Sequence, residues 1–392
     1  MPRAPTATRG RALVVDAART PYGRRGGALS GWHPVDLSAE LLSRLAGRNA
    51  IDGTVVDDVV MGCVSQVGAQ AYNVARRAAL AAGWPEHVPG ATVDRQAASS
   101  AQAVHWAAQA VMSGAQGLVI AGGVEVMSAV PLGASLAVPA VGKPYGRRLL
   151  QRYKDGGGMV PPGLAAEEVA LKWSLSRSQL DNWALTSRQR AARAQQSPPG
   201  YLIPLACPDS VTLARDEALE APFSAQEMAA LPPAFIDGGV VTAANLAAEG
   251  DGASALLIAS PERASALSLT PRAWFVSFAV AGTAPSIWPT ATVPATHEAL
   301  RRAGLAAADI DRWEVHESSA CAVLAWLAEM GVDPEKVNQD GGALATTAPL
   351  GAAGAGLFTS AVAALADGRD RRAVVCVAGE AGVGTACVLE RA

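Results

Sequence analysis

Apolar residues in this chain occur in short, nearly uninterrupted runs that polar and Gly-rich loops separate. Ala12–Val15, Val55–Val64 and Gly117–Ala121 are predicted to be strands, and the last is expected to end at the Gly-Gly pair that follows it. Asp36–Leu45 and Asn73–Ala82 are predicted to be helices. Strands that are apolar on both faces and alternate with helices are typical of a parallel sheet covered on both sides. We therefore predict an α/β fold.

The stretch Val93–Gly114 predicts a strand end, a tight polar loop and then a helix without any charged residue. Within Ala101–Met112 only Gln102, His105 and Gln109 are polar. A helix that is apolar nearly all round is buried inside a large protein. Its first turn then presents partial positive charge to the interior.

The loop in front of this helix is the predicted reactive position. Ser99 or Ser100 is expected to cap the exposed backbone N–H groups of the first turn. Ala97 lies where the positive end of the helix would stabilise an anion or a thiolate. Its methyl group has no acid, base or nucleophilic chemistry, so the favoured site for a nucleophile holds none.

The same order of elements returns near the C-terminus. Gly341–Gly351 is predicted to be a loop, Ala352–Leu365 a buried helix and Ala373–Val377 a strand followed by a Gly-rich turn. This order repeats that of Gln96–Gly123. Two such copies indicate a duplicated domain with pseudo-twofold symmetry.

This symmetry predicts one shared pocket. The two buried helices would meet with their N-termini, near Ala97 and Ala348, facing the same space. Ligand sites in such sheets lie at the carboxyl ends of the strands. We therefore expect His316 and Cys376, which each follow or end a predicted strand, to lie beside the same pocket.

The middle of the chain lacks this pattern. Lys143–Gly158 is basic and Gly-rich, Glu167–Gln195 predicts two helices, and Ser197–Ser224 is Pro-rich and irregular. Such a segment is typical of an insertion that covers a site. The predicted division is residues 1–122 as an N-terminal half that 240–270 completes, 123–239 as an inserted loop domain, and 271–392 as a C-terminal half.

Composition excludes several classes of protein. With 392 residues and 50% hydrophobic content, the chain can form two or three domains. A net charge of −3 gives no attraction to nucleic acid or to an anionic membrane. The five cysteines are scattered without a Cys-x-x-Cys pair, which argues against a metal site and for reduced thiols. The short basic stretch at residues 1–11 is interpreted as a disordered tail rather than a signal peptide, and we expect a cytoplasmic protein.

Six ordered segments, covering nearly the whole chain, resemble the thiolase family. They are ARTPYGRRGGAL, GLVIAGGVEVMS, LPPAFIDGGVVTAANLAAEGDGASA, VHESSA, VNQDGGALATTAPLGAAGAG and VCVAGEAGVG. The resemblance implies the thiolase fold, in which two βαβαβ-type halves form a five-layer α-β-α-β-α body with an inserted loop domain. It also implies a homodimer or tetramer.

The resemblance further implies a chemistry in which one Cys attacks an acyl-CoA and a His activates it. A second Cys moves the substrate proton, and oxyanion holes stabilise the charged oxygens. Cys376 matches the second Cys, and His316 matches an oxyanion-hole Asn or His. The nucleophile position holds Ala97 and the activating-His position holds Ala348. A methyl group forms no thioester and takes no proton, so a ping-pong Claisen condensation through Ala97 is excluded.

Further departures surround these positions. Ala247 stands where the family places a Ser beside the pantetheine, and Glu380 replaces a Gly in the turn next to Cys376. The backbone of that turn, from Gly379, is expected to supply an oxyanion donor. The residues predicted to line the pocket around the two alanines are Ala247, Ser318, Ser319, Thr347, Gly379 and Glu380.

Three functions stay open. The first is an acyltransferase or condensing enzyme that acts on an acyl-CoA or acyl-carrier thioester without the usual nucleophile, with Cys376 and His316 handling protons or acyl transfer. The second is an inactive scaffold that pairs with an active paralogue or a small acyl-binding protein. The third is a Cys-to-Ala trapped variant of an acyl-CoA thiolase. The changes at Ala348, Thr347 and Glu380 favour a remodelled pocket over a single trapping substitution.

Overall fold

The computed structural model of the chain describes residues 10–137, 142–154, 159–207, 212–220 and 223–392. The predicted N-terminal tail, up to residue 9, lies outside the described residues. So do parts of the basic segment and of the Pro-rich segment. In the described part of the chain, no helix is long and apolar enough to cross a membrane.

Most of the predicted elements are present, with shifted ends. The strands are β1 Leu13–Arg19, β2 Gly23–Arg24, β3 Asp58–Gly62, β4 Ala91–Val93, β5 Leu118–Val126, β6 Leu205–Ala206, β7 Thr212–Leu213, β8 Gly250–Ala259, β9 Ala273–Gly282, β10 Arg312–Val315, β11 Arg372–Gly379 and β12 Val383–Arg391. The α-helices are α1 Pro34–Arg48, α2 Val74–Ala81, α3 Ser99–Ser113, α4 Arg147–Arg152, α5 Pro162–Lys172, α6 Arg177–Ala194, α7 Ala225–Ala230, α8 Pro261–Ala266, α9 Thr292–Ala303, α10 Ala320–Met330, α11 Ala343–Thr346 and α12 Leu350–Ala366.

The main sheet is mixed rather than parallel. Its strand order is β10-β11-β12-β9-β1-β8-β5-β3-β4, with β2 attached to β8. Only the pairs β3–β4, β3–β5 and β10–β11 are parallel among these strands. The prediction of a parallel sheet is therefore wrong for its centre, because β8, β9 and β12 run antiparallel to their neighbours. The two halves join where Leu13 and Val14 of β1 face Trp274 and Ala273 of β9.

Three large hydrophobic clusters fill the spaces between the layers of the molecule. Helices α1 and α2 pack against one face of the N-terminal strands. Helices α3 and α12 lie between the N-terminal and C-terminal strands. Helices α9 and α10 cover the opposite face of the C-terminal strands, together with α5 and α6. This is the five-layer α-β-α-β-α arrangement expected for the thiolase fold, with the two apolar helices α3 and α12 at its centre.

Glycines let β5 approach both β8 and α12 closely. A Cβ atom at Gly122 would lie 2.0 Å from the Ser254 carbonyl oxygen, and one at Gly123 would lie 2.0 Å from that of Gly351. The strand therefore continues through the Gly-Gly pair to Val126 instead of ending there. The role of Gly122 and Gly123 is to let neighbouring backbone segments pack closely against the strand.

The predicted serine caps of α3 are also wrong. The N-cap residue is Ala98, and no side chain caps the helix. The Ser99 hydroxyl instead closes the loop on itself, accepting from the Arg95 N–H at 2.8 Å. The Ser100 hydroxyl accepts from the N–H of Ala355 at 2.9 Å and so ties α3 to α12.

Candidate active site

One cavity of about 290 Å³ contains both of the predicted alanine positions. It lies where the starts of α3 and α12 meet the end of β10. Its walls include six of the predicted site residues, namely Ala97, Ala247, His316, Ser318, Ala348 and Glu380. The structure therefore brings the two halves of the chain together around one site.

The two alanines occupy equivalent places. Ala97 lies two residues before the start of α3, and Ala348 lies two residues before the start of α12. The N–H of Ala348 donates to the carbonyl oxygen of Ala248 at 2.9 Å, and the N–H of Ala247 donates to that of Ser318 at 3.1 Å. The segment around 247 and 248 therefore bridges the two sides of the cavity, and both helix N-termini direct partial positive charge toward it.

Two polar side chains on the cavity wall lack a hydrogen-bond partner of normal geometry among the described residues. His316 is 3% exposed, and neither of its ring nitrogens has a hydrogen-bond partner of normal geometry among the described residues. The buried hydroxyl of Ser318 also has none there. Burial lowers the pKa of His316 to about 4, although the Ala378 carbonyl opposes the shift, so the imidazole is neutral at neutral pH. Orphaned polar groups are costly, and at a cavity wall they indicate a ligand site.

Two carboxylates also line the cavity, and only one of them is in an ion pair. Glu249 pairs with Arg25, whose Nη1 lies 2.9 Å from the carboxylate. The Glu380 carboxylate makes no hydrogen bond or ion pair with the described residues. Burial and, to a smaller extent, the charge of Asp94 raise the pKa of Glu380 above its ordinary value.

Comparison with known proteins identifies the family. The model described as "Thiolase, N-terminal domain" matches residues 12–262, and "Thiolase, C-terminal domain" matches residues 269–391. The chain belongs to the thiolase family. It is 41% identical to the steroid 3-ketoacyl-CoA thiolase FadA6 of Mycobacterium tuberculosis, over 97% of this chain and 94% of the relative. It is 38% identical to a beta-ketoadipyl-CoA thiolase of Escherichia coli, over 97% of this chain and 99% of the relative.

A solved structure agrees over the same extent. The crystal structure of the Bacillus anthracis acetyl-CoA acetyltransferase superposes with a TM-score of 0.89 at 31% sequence identity. The superposition covers 98% of this thiolase and 99% of that chain. Fold and family are therefore fixed for the whole body of the molecule.

Cys376 does not lie where the sequence predicts. Its side chain is fully buried in the core between the C-terminal strands and α9, and it is not part of the cavity wall. The physical reason is that β11 continues to Gly379, so the cavity is first reached at Glu380. Burial raises the pKa of Cys376 to about 12, despite a hydrogen bond with Thr296.

Three other residues that were predicted to line the cavity are not part of its wall and make structural contacts instead. Ser319 caps α10 by accepting from the N–H of Ala322 at 3.2 Å. Thr347 donates through its hydroxyl to the Gly23 carbonyl at 3.3 Å. Gly379 lies so close to the loop before α3 that a Cβ atom there would be 2.7 Å from the Arg95 carbonyl oxygen.

Two buried glutamates hold the helix starts in place. Glu125 accepts hydrogen bonds at 2.6 to 3.1 Å from the N–H groups of Val64, Ser65 and Gly351 and from the Gln70 side chain. The Gly351 contact fixes the first turn of α12 beside Ala348. No sequence pattern predicts this set of donors, although Glu125 lies in the family-like segment GLVIAGGVEVMS.

Glu317 is the second of these glutamates, and it holds the segment that precedes Ala348. It accepts at 2.7 to 3.1 Å from four donors, which are the side chains of Trp183, Ser187 and Asn338 and the N–H of Leu344. These contacts join α6 and α11 to the end of β10. They hold the backbone on which His316 and Ser318 lie.

The described residues contain no group of three or more His, Cys, Asp or Glu side chains placed to hold a metal ion.

The burial of the thiols has a direct test. All five cysteines are buried, and none of them is in a disulfide. We expect none to react with a water-soluble disulfide reagent in the native protein over minutes, and five to react after denaturation. Spectrophotometric titration measures both numbers. A single fast thiol in the native protein, mapped to Cys376 by mass spectrometry, would contradict its placement in the core.

Proposed function

We propose that this thiolase binds an acyl thioester in the cavity and acts on it as an acyltransferase or condensing enzyme without an acyl-enzyme at position 97. The observation that carries the proposal is a pair of polar groups, His316 and Ser318, that lie beside Ala97 and Ala348 and have no hydrogen-bond partner of normal geometry among the described residues. Buried polar groups without a hydrogen bond lower the stability of the folded protein, and a bound ligand would offset this cost by pairing with them.

These groups suit a thioester oxygen. A neutral imidazole presents one N–H, and a hydroxyl presents one O–H. The hydroxyl can donate to the carbonyl oxygen, and so can the imidazole when its N–H is directed to the cavity rather than to the Ala378 carbonyl. Both then stabilise the negative charge that develops on the oxygen in an enolate or tetrahedral intermediate. The stabilisation is strongest where water is excluded, and both donors are buried.

The rest of the cavity suits an acyl chain. Its walls include the apolar side chains of Met127, Leu132, Phe235, Leu246 and Trp288. Pockets of about 300 Å³ and more with a few polar groups are typical of small-molecule sites. The names of the relatives, such as steroid 3-ketoacyl-CoA thiolase, support an acyl-CoA as the first substrate to test. An acyl-carrier thioester is the alternative donor.

A second function has its own support. Alanine at both 97 and 348 removes two reactive groups at once, which favours an inactive scaffold that pairs with an active paralogue or a small acyl-binding protein. In this case the cavity would be a relic. A homodimer or tetramer stays a prediction under either function.

Binding of a thioester separates the two functions. We expect hexanoyl-CoA to bind by isothermal titration calorimetry, and intact-mass analysis to detect no covalent adduct. His316→Ala is expected to weaken binding about tenfold, because it removes a buried donor to the carbonyl. The control is His297→Ala, which removes an exposed imidazole on α9.

Other outcomes would overturn the proposal. If neither hexanoyl-CoA nor a shorter acyl-CoA bound, and if the protein co-purified with an active thiolase, the scaffold would be the better function. A stoichiometric covalent adduct on the native protein would likewise contradict acyl transfer without an acyl-enzyme.

A further inference from the structure

We infer that Glu380 is the catalytic base that removes a proton from the α-carbon of the bound acyl thioester. The inference rests on the proposed function, because it needs a thioester in the cavity. It assigns a reaction step to a residue in a place where the family resemblance implies glycine. The expected activity is reversible enolisation of a simple acyl thioester.

Elimination among the cavity residues leads to Glu380. The titratable side chains on the wall are those of Glu249, His316 and Glu380. Glu249 is neutralised by Arg25. The imidazole of His316 is a weak base because burial disfavours its protonated form. Glu380 is the carboxylate that faces the cavity without an ion pair among the described residues.

The backbone holds Glu380 beside the vacated nucleophile position. It is the first residue after β11, and the next residue, Ala381, adopts a left-handed φ of 64°. Gly379 packs against the loop before α3, where a Cβ atom would lie 3.0 Å from the Cβ of Gln96. Gln96 and Ala97 are the adjoining wall residues. Glu380 and Ala97 therefore line the same cavity, on two loops that are in contact.

The step balances without a further reactant. A carboxylate oxygen of Glu380 takes the α-proton, and the C–H electron pair becomes the C=C bond of the enolate. The carbonyl π electrons move to the oxygen, which accepts hydrogen bonds from His316 and Ser318. Return of a proton from the carboxylic acid to the carbon restores the thioester. In D2O the carboxylic acid exchanges its proton for a deuteron from the solvent before the return, so the carbon receives a deuteron.

The electrostatic surroundings make Glu380 a stronger base than an ordinary glutamate. Asp94 and Arg95 lie on the loop before α3, and Glu249 and His316 lie on the cavity wall. Burial raises the pKa of Glu380 first, and the negative charge of Asp94 raises it further. A carboxylate with a raised pKa takes a proton from carbon more readily, while it stays ionised above that pKa.

Deuterium exchange tests the step directly. Hexanoyl-CoA is incubated with the protein in D2O, and incorporation at the α-carbon is followed by mass spectrometry. We expect wild-type protein to exchange one of the two α-protons well above the buffer rate, because the base lies on one side of the bound thioester, and Glu380→Gln to lower the rate at least about 100-fold. Binding of hexanoyl-CoA by Glu380→Gln is expected to stay within about threefold of wild type. Glu86→Gln, at an exposed loop position, is the matched control.

The pH profile gives a second readout that a purely structural role would not move. The exchange rate is expected to rise with pH and level off above the raised pKa of Glu380. Asp94→Asn removes a neighbouring negative charge, so the midpoint should shift to lower pH while the plateau persists. Glu380→Asp should keep a pH-dependent rate that is lower than wild type.

The outcomes separate this inference from the proposed function. If hexanoyl-CoA binds but the wild-type protein produces no exchange, or if Glu380→Gln exchanges as fast as wild type, the assignment of Glu380 is wrong and thioester binding stands. If hexanoyl-CoA does not bind at all, the proposed function fails first.

Discussion

Replacing Ala97 by Cys and Ala348 by His in one chain is expected to create a covalent acyl-enzyme. Both positions lie on the wall of one cavity, each two residues before the start of a central helix. The imidazole would take the thiol proton, and the start of α3 would favour the thiolate. We expect the double variant to acylate at least about 100 times faster than Ala97→Cys alone, since a thiol without its base is a poor nucleophile at neutral pH.

Intact-mass analysis after incubation with hexanoyl-CoA measures the adduct. The matched control is Ala98→Cys with Ala348→His, because residue 98 is fully buried and is not part of the cavity wall. No adduct is expected on the control or on the native chain. Full Claisen activity of Ala97→Cys alone would instead support a trapped variant of an ordinary thiolase. No adduct on a folded double variant would contradict the shared site.

Glu125→Ala is expected to lower the free energy of unfolding by about 3–5 kcal/mol, since several buried donors lose their acceptor together. Those donors belong to the loop after β3, to Gln70 and to the first turn of α12. Glu125 is 1% exposed, so water does not readily replace the carboxylate. The first turn of α12 should loosen with it.

Urea unfolding followed by circular dichroism measures the change. Glu168→Ala, at an exposed position of α5, is the control and should change stability by less than about 0.5 kcal/mol. A loss below about 1 kcal/mol for Glu125→Ala would mean that its donors find other partners, and that Glu125 does not fix the start of α12.

The buried helices were the most predictable part of the fold. Both α3 and α12 lack charged residues, and such a pattern leaves few places for a helix other than the centre of a large protein. Strand direction was less predictable, because an apolar strand looks the same in parallel and antiparallel sheets. Gly122 and Gly123 indicated a strand end, but their role depends on backbone groups more than a hundred residues away.

The cavity was predicted in outline and not in detail. Internal repetition placed Ala97 and Ala348 together, because symmetry relates the two helix starts. The repetition says nothing about where β11 ends, and this decides whether Cys376 or Glu380 reaches the cavity. The contacts of Glu125 with Gly351 join residues 226 positions apart, so no local pattern predicts them.

Ser100 ties α3 to α12, Glu125 holds the first turn of α12, and Glu317 holds α11 just before it. None of these interactions uses a side chain at 97 or 348. Shape and reactivity are thus encoded by different residues. Reactive side chains at 97 and 348 can therefore be replaced without loss of stability, and the backbone around the cavity stays the same for other side chains. This separation makes the chain a natural starting point for installing unrelated carbonyl chemistries by exchanging only a few side chains.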